Sequence, residues 1–239
     1  MAYLGVAAGA LCAGLVQGVV GFGGGIITML IFPHFFGIPQ GAGITVSLGI
    51  ALCGSMVIRY WKEVNVKMAV LPAILYNLIC SVAISYSVAV DQAVIKKVFG
   101  VFLILLACYY LFISKNVQNR KLGLVTSAVC IIISATCDGL FGIGGPLMVL
   151  YFMSMTDSTH AYLGTMQLFF WVNSVYNTAF RFYKGILLPE HLVYIGCGVV
   201  AILIGGAIAS RIVDKLNVTT MRKVVYVMIG VSGIVNLIG

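Results

Sequence analysis

Two stretches of the chain concentrate glycine inside otherwise apolar sequence: QGVVGFGGG at Gln17–Gly25 and DGLFGIGGP at Asp138–Pro146, related by a constant offset of 121 residues. Glycine is about 1 kcal/mol worse than alanine inside a helix, so repeated glycines mark a place where a helix breaks. A break leaves backbone N–H groups without partners at the start of the next helix, and that positive end attracts anions. Gly23, Gly24 and Gly25 in the first stretch, and Gly144 and Gly145 in the second, are therefore candidate anion-binding positions. Gln17 heads the first stretch where Asp138 heads the second. One helix start from each stretch would face a single small anion from opposite sides. Close packing of helices through small residues is the competing account, and it is the one that suits Gly205/Ala209 and Gly206/Ser210.

Other polar residues extend the constellation. Asn173, Asn177 and Arg181 recur every four residues and share one helical face, with Gln167 six residues earlier and Ser174 and Thr178 alongside. Amides facing a bundle interior bind oxyanions without a buried charge, so Gln167, Asn173 and Asn177 join Gln17 as candidates; interhelical hydrogen bonding is the alternative. The first-half counterparts Thr45, Ala51, Ser55 and Arg59 are less polar, and Asn77, Ser81 and Ser85 form a weaker stripe. Arg59 and Arg181 lie beside aromatics at segment ends, where snorkelling to the membrane interface is expected and a substrate role is the alternative. His34, His160 and His191 lie near run edges and read as interfacial.

Asp138 is the one acid placed deep in an apolar run, and an intramembrane carboxylate is a functional hypothesis by default. Beside an anion site its ionised form would repel the substrate and its protonated form would donate a hydrogen bond. That sign relation makes Asp138 a proton-coupling candidate; the alternative is a structural cap on the second half-helix. The chain has no HExxH, no Gly-x-Ser-x-Gly and no carboxylate pair. No catalytic residue, metal or cofactor is expected, and the chain does not read as an enzyme. The seven cysteines lie in apolar runs without a CxxC and read as small buried hydrophobes.

What must position these residues is a membrane bundle. The 239 residues are 62% hydrophobic and 8% charged, with mean hydropathy +1.12, whereas soluble chains carry roughly a quarter charged residues. Net charge is +8, but Lys and Arg fall in short clusters between apolar runs, which suits topology signals and lipid rather than nucleic acid. Met1–Leu15 holds no Lys or Arg, so no cleavable signal peptide is expected. Runs at 41–58, 68–90, 98–114, 161–180, 192–210 and 224–239 each approach the roughly 17–25 residues of one spanning helix. Tyr3–Phe36 and Leu122–Thr156 are longer. A single helix over the first would extend about 51 Å against a hydrocarbon core of about 30 Å, so each long run reads as two half-helices.

The matching continues beyond the glycines. IRYWK (Ile58–Lys62) pairs with FRFYK (Phe180–Lys184), LP at 71–72 with LP at 188–189, and IKKV at 95–98 with MRKV at 221–224, all in the same order. The chain therefore divides into a first repeat at 1–114, a polar linker at 115–121 and a second repeat at 122–239. If every segment crossed the membrane, Lys and Arg would divide 8 to 6 between the two sides. If both interrupted segments turn back as re-entrant hairpins, the division is 10 to 4. The sharper bias favours hairpins, a cytoplasmic linker and both termini outside. Each half then makes an odd number of crossings, so the repeats are inverted, as in secondary transporters with broken helices at the midplane. The expected fold is all-α and polytopic: two inverted repeats, each a broken or re-entrant helix plus three transmembrane helices.

The paired GFGGG and GIGGP motifs opening two four-segment halves, with RYWK and RFYKG at matched ends, resemble the TauE/SafE-type sulfite exporters over residues 3–238. The resemblance implies a cytoplasmic-membrane transporter of a small sulfur-containing anion: sulfite, thiosulfate, sulfoacetate or another organosulfonate. Transport by alternating access between the two glycine breaks is the expectation, and a passive small-anion channel is the alternative. The halves differ at Gln17/Asp138 and at Gly25/Pro146, which argues against two equivalent half-sites.

Overall fold

Each long apolar run ends its first helix on the same device. In the computed structural model α1 spans Ala2–Val20 and is followed by Gly21 at φ 85, whose N–H donates back to the Gln17 carbonyl at 2.7 Å. At an offset of 121 residues, α6 spans Leu124–Phe141 and is followed by Gly142 at φ 66, whose N–H donates to the Asp138 carbonyl at 2.8 Å. A residue with a Cβ adopts this left-handed conformation only with strain, so the glycine is a requirement of the turn. The structure describes residues 1–108, 123–156, 158–212 and 234; the linker 115–121, the MRKV match and the last apolar run, apart from residue 234, lie outside them.

The shorter second arms are α2 at Gly24–Ile31 and α7 at Gly145–Met155. The long runs thus break at their glycines, but not into equal halves: α1 keeps 19 residues and α2 only 8. Pro33 explains part of the difference. Lacking an N–H it cannot continue the α-helical ladder, and the chain finishes in a 3-10 turn at Phe32–His34. This arm runs back alongside α1, with Gly24 against Gln17, Ile31 and Phe32 against Gly9, and Phe35 against Gly5. The first interrupted segment is therefore a hairpin that returns to the end of the bundle where it began.

The remaining helices are α3 (Ile38–Tyr60), α4 (Val66–Ala89), α5 (Gln92–Cys108), α8 (Thr159–Tyr183) and α9 (His191–Ile212). Asn65 and Ser158 begin α4 and α8 as N-caps, accepting from the Met68 and Ala161 N–H groups at 3.2 and 3.1 Å. Among the described residues five helices are long and apolar enough to cross a membrane: α1, α3, α4, α6 and α9. At 25 residues α8 has the length but not the hydropathy, because its polar side chains point inward: Gln167, Asn177 and Arg181 are fully buried. The outward face of α4 presents Leu71, Leu75, Leu78 and Val82 to lipid.

Packing ties the two halves together. Counterparts α3 and α8 run antiparallel, Gly49 facing Ser174, Gly54 facing Trp171 and Gly164 facing Tyr60. The first hairpin lies along α9 in the same direction, with Tyr3 stacked on Tyr194, Gly14 against Ile202 and Gly18 against Ala209. The second lies along α4, where the Tyr76 hydroxyl donates to the Ser134 carbonyl at 3.2 Å and Gly139 meets Cys80 and Ala83. Each hairpin is buried against a helix of the other half.

Candidate functional site

The two glycine breaks meet. A Cβ on Gly25 would lie 2.7 Å from the Gly142 carbonyl oxygen, and one on Gly145 would lie 3.8 Å from the Phe22 Cβ. Between them is a cavity of about 80 Å³, room for several molecules the size of water, each needing roughly 10–15 Å³. Its walls are the turns Phe22–Ile26 and Gly142–Pro146, with Gln17, Thr28 and Asp138 behind them. Thr45, Gly49 and Cys53 of α3, Phe170, Asn173 and Ser174 of α8, and Ile202 of α9 complete it. These positions fall near the middle of α3, α8 and α9, so the cavity sits at mid-depth of the bundle. Neither α2 nor α7 is capped by a side chain at its start, so both first turns keep backbone donors available to a guest.

Two different side-chain networks hold the two breaks. In the first half the Gln17 amide donates to the Gln167 Oε1 at 3.4 Å and the Cys53 Sγ at 3.3 Å, and Gln167 donates to the Gly21 carbonyl at 2.6 Å. Thr45 donates to Thr28 at 2.8 Å, and Thr28 bonds back to the Gly25 carbonyl at 3.0 Å. In the second half the Asn173 amide donates to the Asp138 Oδ2 at 2.6 Å, Asn177 donates to Asn173, and the Cys80 thiol donates to Asn177 at 3.2 Å. Arg181, one turn beyond Asn177, donates to the carbonyls of Gly139 at 2.7 Å, Asp138 at 3.2 Å and Pro39 at 3.2 Å. A helix C-terminus is the partially negative end, so a guanidinium there satisfies orphan carbonyls and their dipole together.

A family model described as sulfite exporter TauE/SafE matches residues 6–235. The chain belongs to the TauE/SafE sulfite exporter family. A probable membrane transporter protein of Methanocaldococcus jannaschii is 30% identical over 156 residues, covering 59% of this chain and 58% of that relative. The match thus spans under two thirds of the relative's own length. No solved structure matches the chain.

Within this TauE/SafE chain, Gln17, Gly23, Gly24, Gly25, Gly144, Gly145, Asp138 and Asn173 all line the cavity. Gln167 and Asn177 do not; they stand behind it, holding Gln17, Gly21 and Asn173 in place. Asp138 does not cap α7, whose N-cap is Gly144; its carboxylate turns instead to Asn173. Arg181 corrects the snorkelling expectation: it is wholly buried, because three backbone carbonyls receive it inside the bundle. Arg59 is exposed at the end of its helix. His34 and His160 are exposed near helix ends, but His191 is buried and accepts the Leu188 N–H at 2.9 Å as α9 begins.

The stripe Asn77, Ser81 and Ser85 stays away from the cavity, its two serines donating to carbonyls one turn back. All seven cysteines are free; Cys12 and Cys108 are exposed, and Cys53 lines the cavity rather than the general core. Sequence reasoning did not single out Thr28, Cys53, Phe22 or Phe170. Thr28 carried one usable signal: it lies one helical turn beyond Gly24 and Gly25, on the face they open. Among the described residues no cluster of His, Cys, Asp and Glu could hold a metal ion.

Proposed function

We propose that the chain moves a small sulfur-containing oxyanion across the cytoplasmic membrane by alternating access, with the anion held between Gly23–Gly25 and Gly144–Gly145. The observation that carries this reading is the meeting of two uncapped helix starts, one from each repeat, across a cavity of about 80 Å³ at mid-depth. Backbone donors converging from two sides suit a compact oxyanion, and irregular backbone is tolerated at membrane depth only where protein or a cavity satisfies it. The antiparallel contact of α3 with its counterpart α8 supports inverted repeats. The end carrying Arg59, Lys62, Lys67 and Arg211 is then cytoplasmic, with the start of α1 outside.

In this scheme the Gly backbone, Asn173 and Ser174 bind the oxyanion, and Gln17 supplies a neutral amide opposite Asp138. Protonated Asp138 donates to the anion, so substrate and proton bind together. The purified protein should be stabilised against heat by one or more of sulfite, thiosulfate, sulfoacetate, taurine, sulfate and chloride, since a ligand of the folded state raises its apparent stability. Flux into liposomes should saturate with concentration. Stabilisation by none of these anions would overturn the reading, and non-saturating flux would favour a passive channel.

A further inference from the structure

We propose that the bundle contains a second oxyanion site, an arginine-lined vestibule where α3 and α9 end, from which anions reach the central cavity; the connection to the central cavity rests on the function proposed above. A cavity of about 340 Å³ lies there. Its charged walls are Arg59 on α3 and Arg211 on α9, both exposed at the final turns of their helices, with Ser55 and Ser210 one turn and one residue before them. Among the described residues no acidic side chain lines it. Two guanidiniums facing one concave space, with no counter-charge among the described residues of its walls, focus a positive potential on whatever anion enters.

The vestibule is stacked on the central site. Three helices contribute consecutive residues to both spaces: Gln17 lines the central cavity and Gly18 the vestibule, Cys53 and Leu52 divide in the same way, and so do Ile202 and Leu203. Along this boundary the Gln17 amide of α1 donates to the Cys53 thiol of α3 at 3.3 Å. A weak donor–acceptor pair of this kind parts at little expense, which suits a gate between a place of capture and a place of binding. Arg59 therefore has a role besides snorkelling: with Arg211 it concentrates oxyanions one step outside the central site.

The test reads the vestibule directly. Ser55→Cys places a thiol on its wall, and its modification is measured in neutral detergent with a sulfonate-bearing and a trimethylammonium-bearing thiol reagent, relative to the chain with its native cysteines. The sulfonate reagent should react about tenfold faster than the cationic one, the lower end of electrostatic focusing. The ratio should fall to near one in Arg59→Gln/Arg211→Gln and persist in Arg59→Lys/Arg211→Lys. Sulfate should slow the reaction more than chloride at equal ionic strength only while the arginines are present. A ratio unchanged by losing both arginines, or equal effects of sulfate and chloride, overturns the site.

A phosphate-bearing lipid headgroup has the same chemistry as a free oxyanion. If sulfate protection disappears when the protein is moved to vesicles containing phosphatidylglycerol, and is present in phosphatidylcholine alone, the vestibule is a lipid site and the proposal fails. The central reading fails separately, if no anion raises the melting temperature while the vestibule ratio behaves as described.

Discussion

The close approach of the two glycine turns offers a paired test at Gly25 and Gly145. Alanine at Gly25 would set its Cβ 2.7 Å from the Gly142 carbonyl oxygen, a backbone atom of the opposing turn that cannot swing aside. Overpacking of this kind costs about 1–3 kcal/mol. In a chain of this size each kcal/mol shifts the melting temperature by roughly 2–4 °C, so Gly25→Ala should melt about 2–12 °C below the parent. Alanine at Gly145 meets nothing closer than the Phe22 Cβ at 3.8 Å and the Phe170 ring at 4.0 Å, both ordinary contacts. Gly145 also opens α7, where alanine is the better helix former. Its melting temperature without ligand should hold or rise by a few degrees, about 1 kcal/mol at most. Its methyl, however, occupies part of a cavity of about 80 Å³, and the affinity for the stabilising anion should drop at least about tenfold, roughly 1.4 kcal/mol. Thermal denaturation with and without a titrated anion reads both quantities. Gly25→Ala melting with the parent would refute the close approach, and Gly145→Ala binding with parental affinity would refute the cavity as the site.

Arg181→Met should strand the Gly139 carbonyl, remove the second donor to the Asp138 carbonyl and the contact to Pro39, and lower stability by roughly 3–5 kcal/mol, seen as loss of monodisperse protein; Arg181→Lys should fall between. Asp138→Asn keeps an acceptor for the Asn173 amide but cannot titrate, so anion affinity that falls with rising pH in the parent should become flat, measured by the anion-induced melting shift at several pH values. Thiols introduced at Lys62 and Lys184 should react with impermeant reagents from opposite sides of the membrane, because antiparallel α3 and α8 finish at opposite ends of the bundle, which requires the second hairpin to return to its starting end; labelling from one side alone would restore the arrangement in which every segment crosses.

Much of this architecture is visible in the linear pattern. Runs at 41–58, 68–90, 161–180 and 192–210 correspond to α3, α4, α8 and α9 within a few residues, because apolar length and flanking charge are local properties. The offset of 121 is realised as chemistry, with Gln17 and Asp138 both accepting a glycine N–H at a helix end. What stays hidden is whatever depends on a backbone partner. Arg181 reads as a surface cation because its counter-groups are carbonyls, which no residue type announces. The unequal arms of the first hairpin follow in part from Pro33, a local signal that hydropathy averages away. Gln167 and Asn177 match their neighbours in type and spacing, yet only the tertiary arrangement sets them behind Gln17 and Asn173 rather than beside the cavity.

The exchange of hairpins between halves has a consequence for how the protein is made. Gly14 must pack on Ile202, about 190 residues later, and at roughly 5–20 residues per second the first hairpin waits on the order of 10–40 s for α9 to be synthesised. During that interval its small-residue face has no helix to meet, and the uncapped turn at Gly23 and Gly24 has lipid or the insertion machinery for company. The second hairpin emerges with α4 already in place, so it assembles as it is translated. Synthesis thus proceeds with one half-site finished before the other. A chain stopped before α9 leaves the ribosome with an open glycine turn, which makes it a substrate for membrane quality control rather than a functional half.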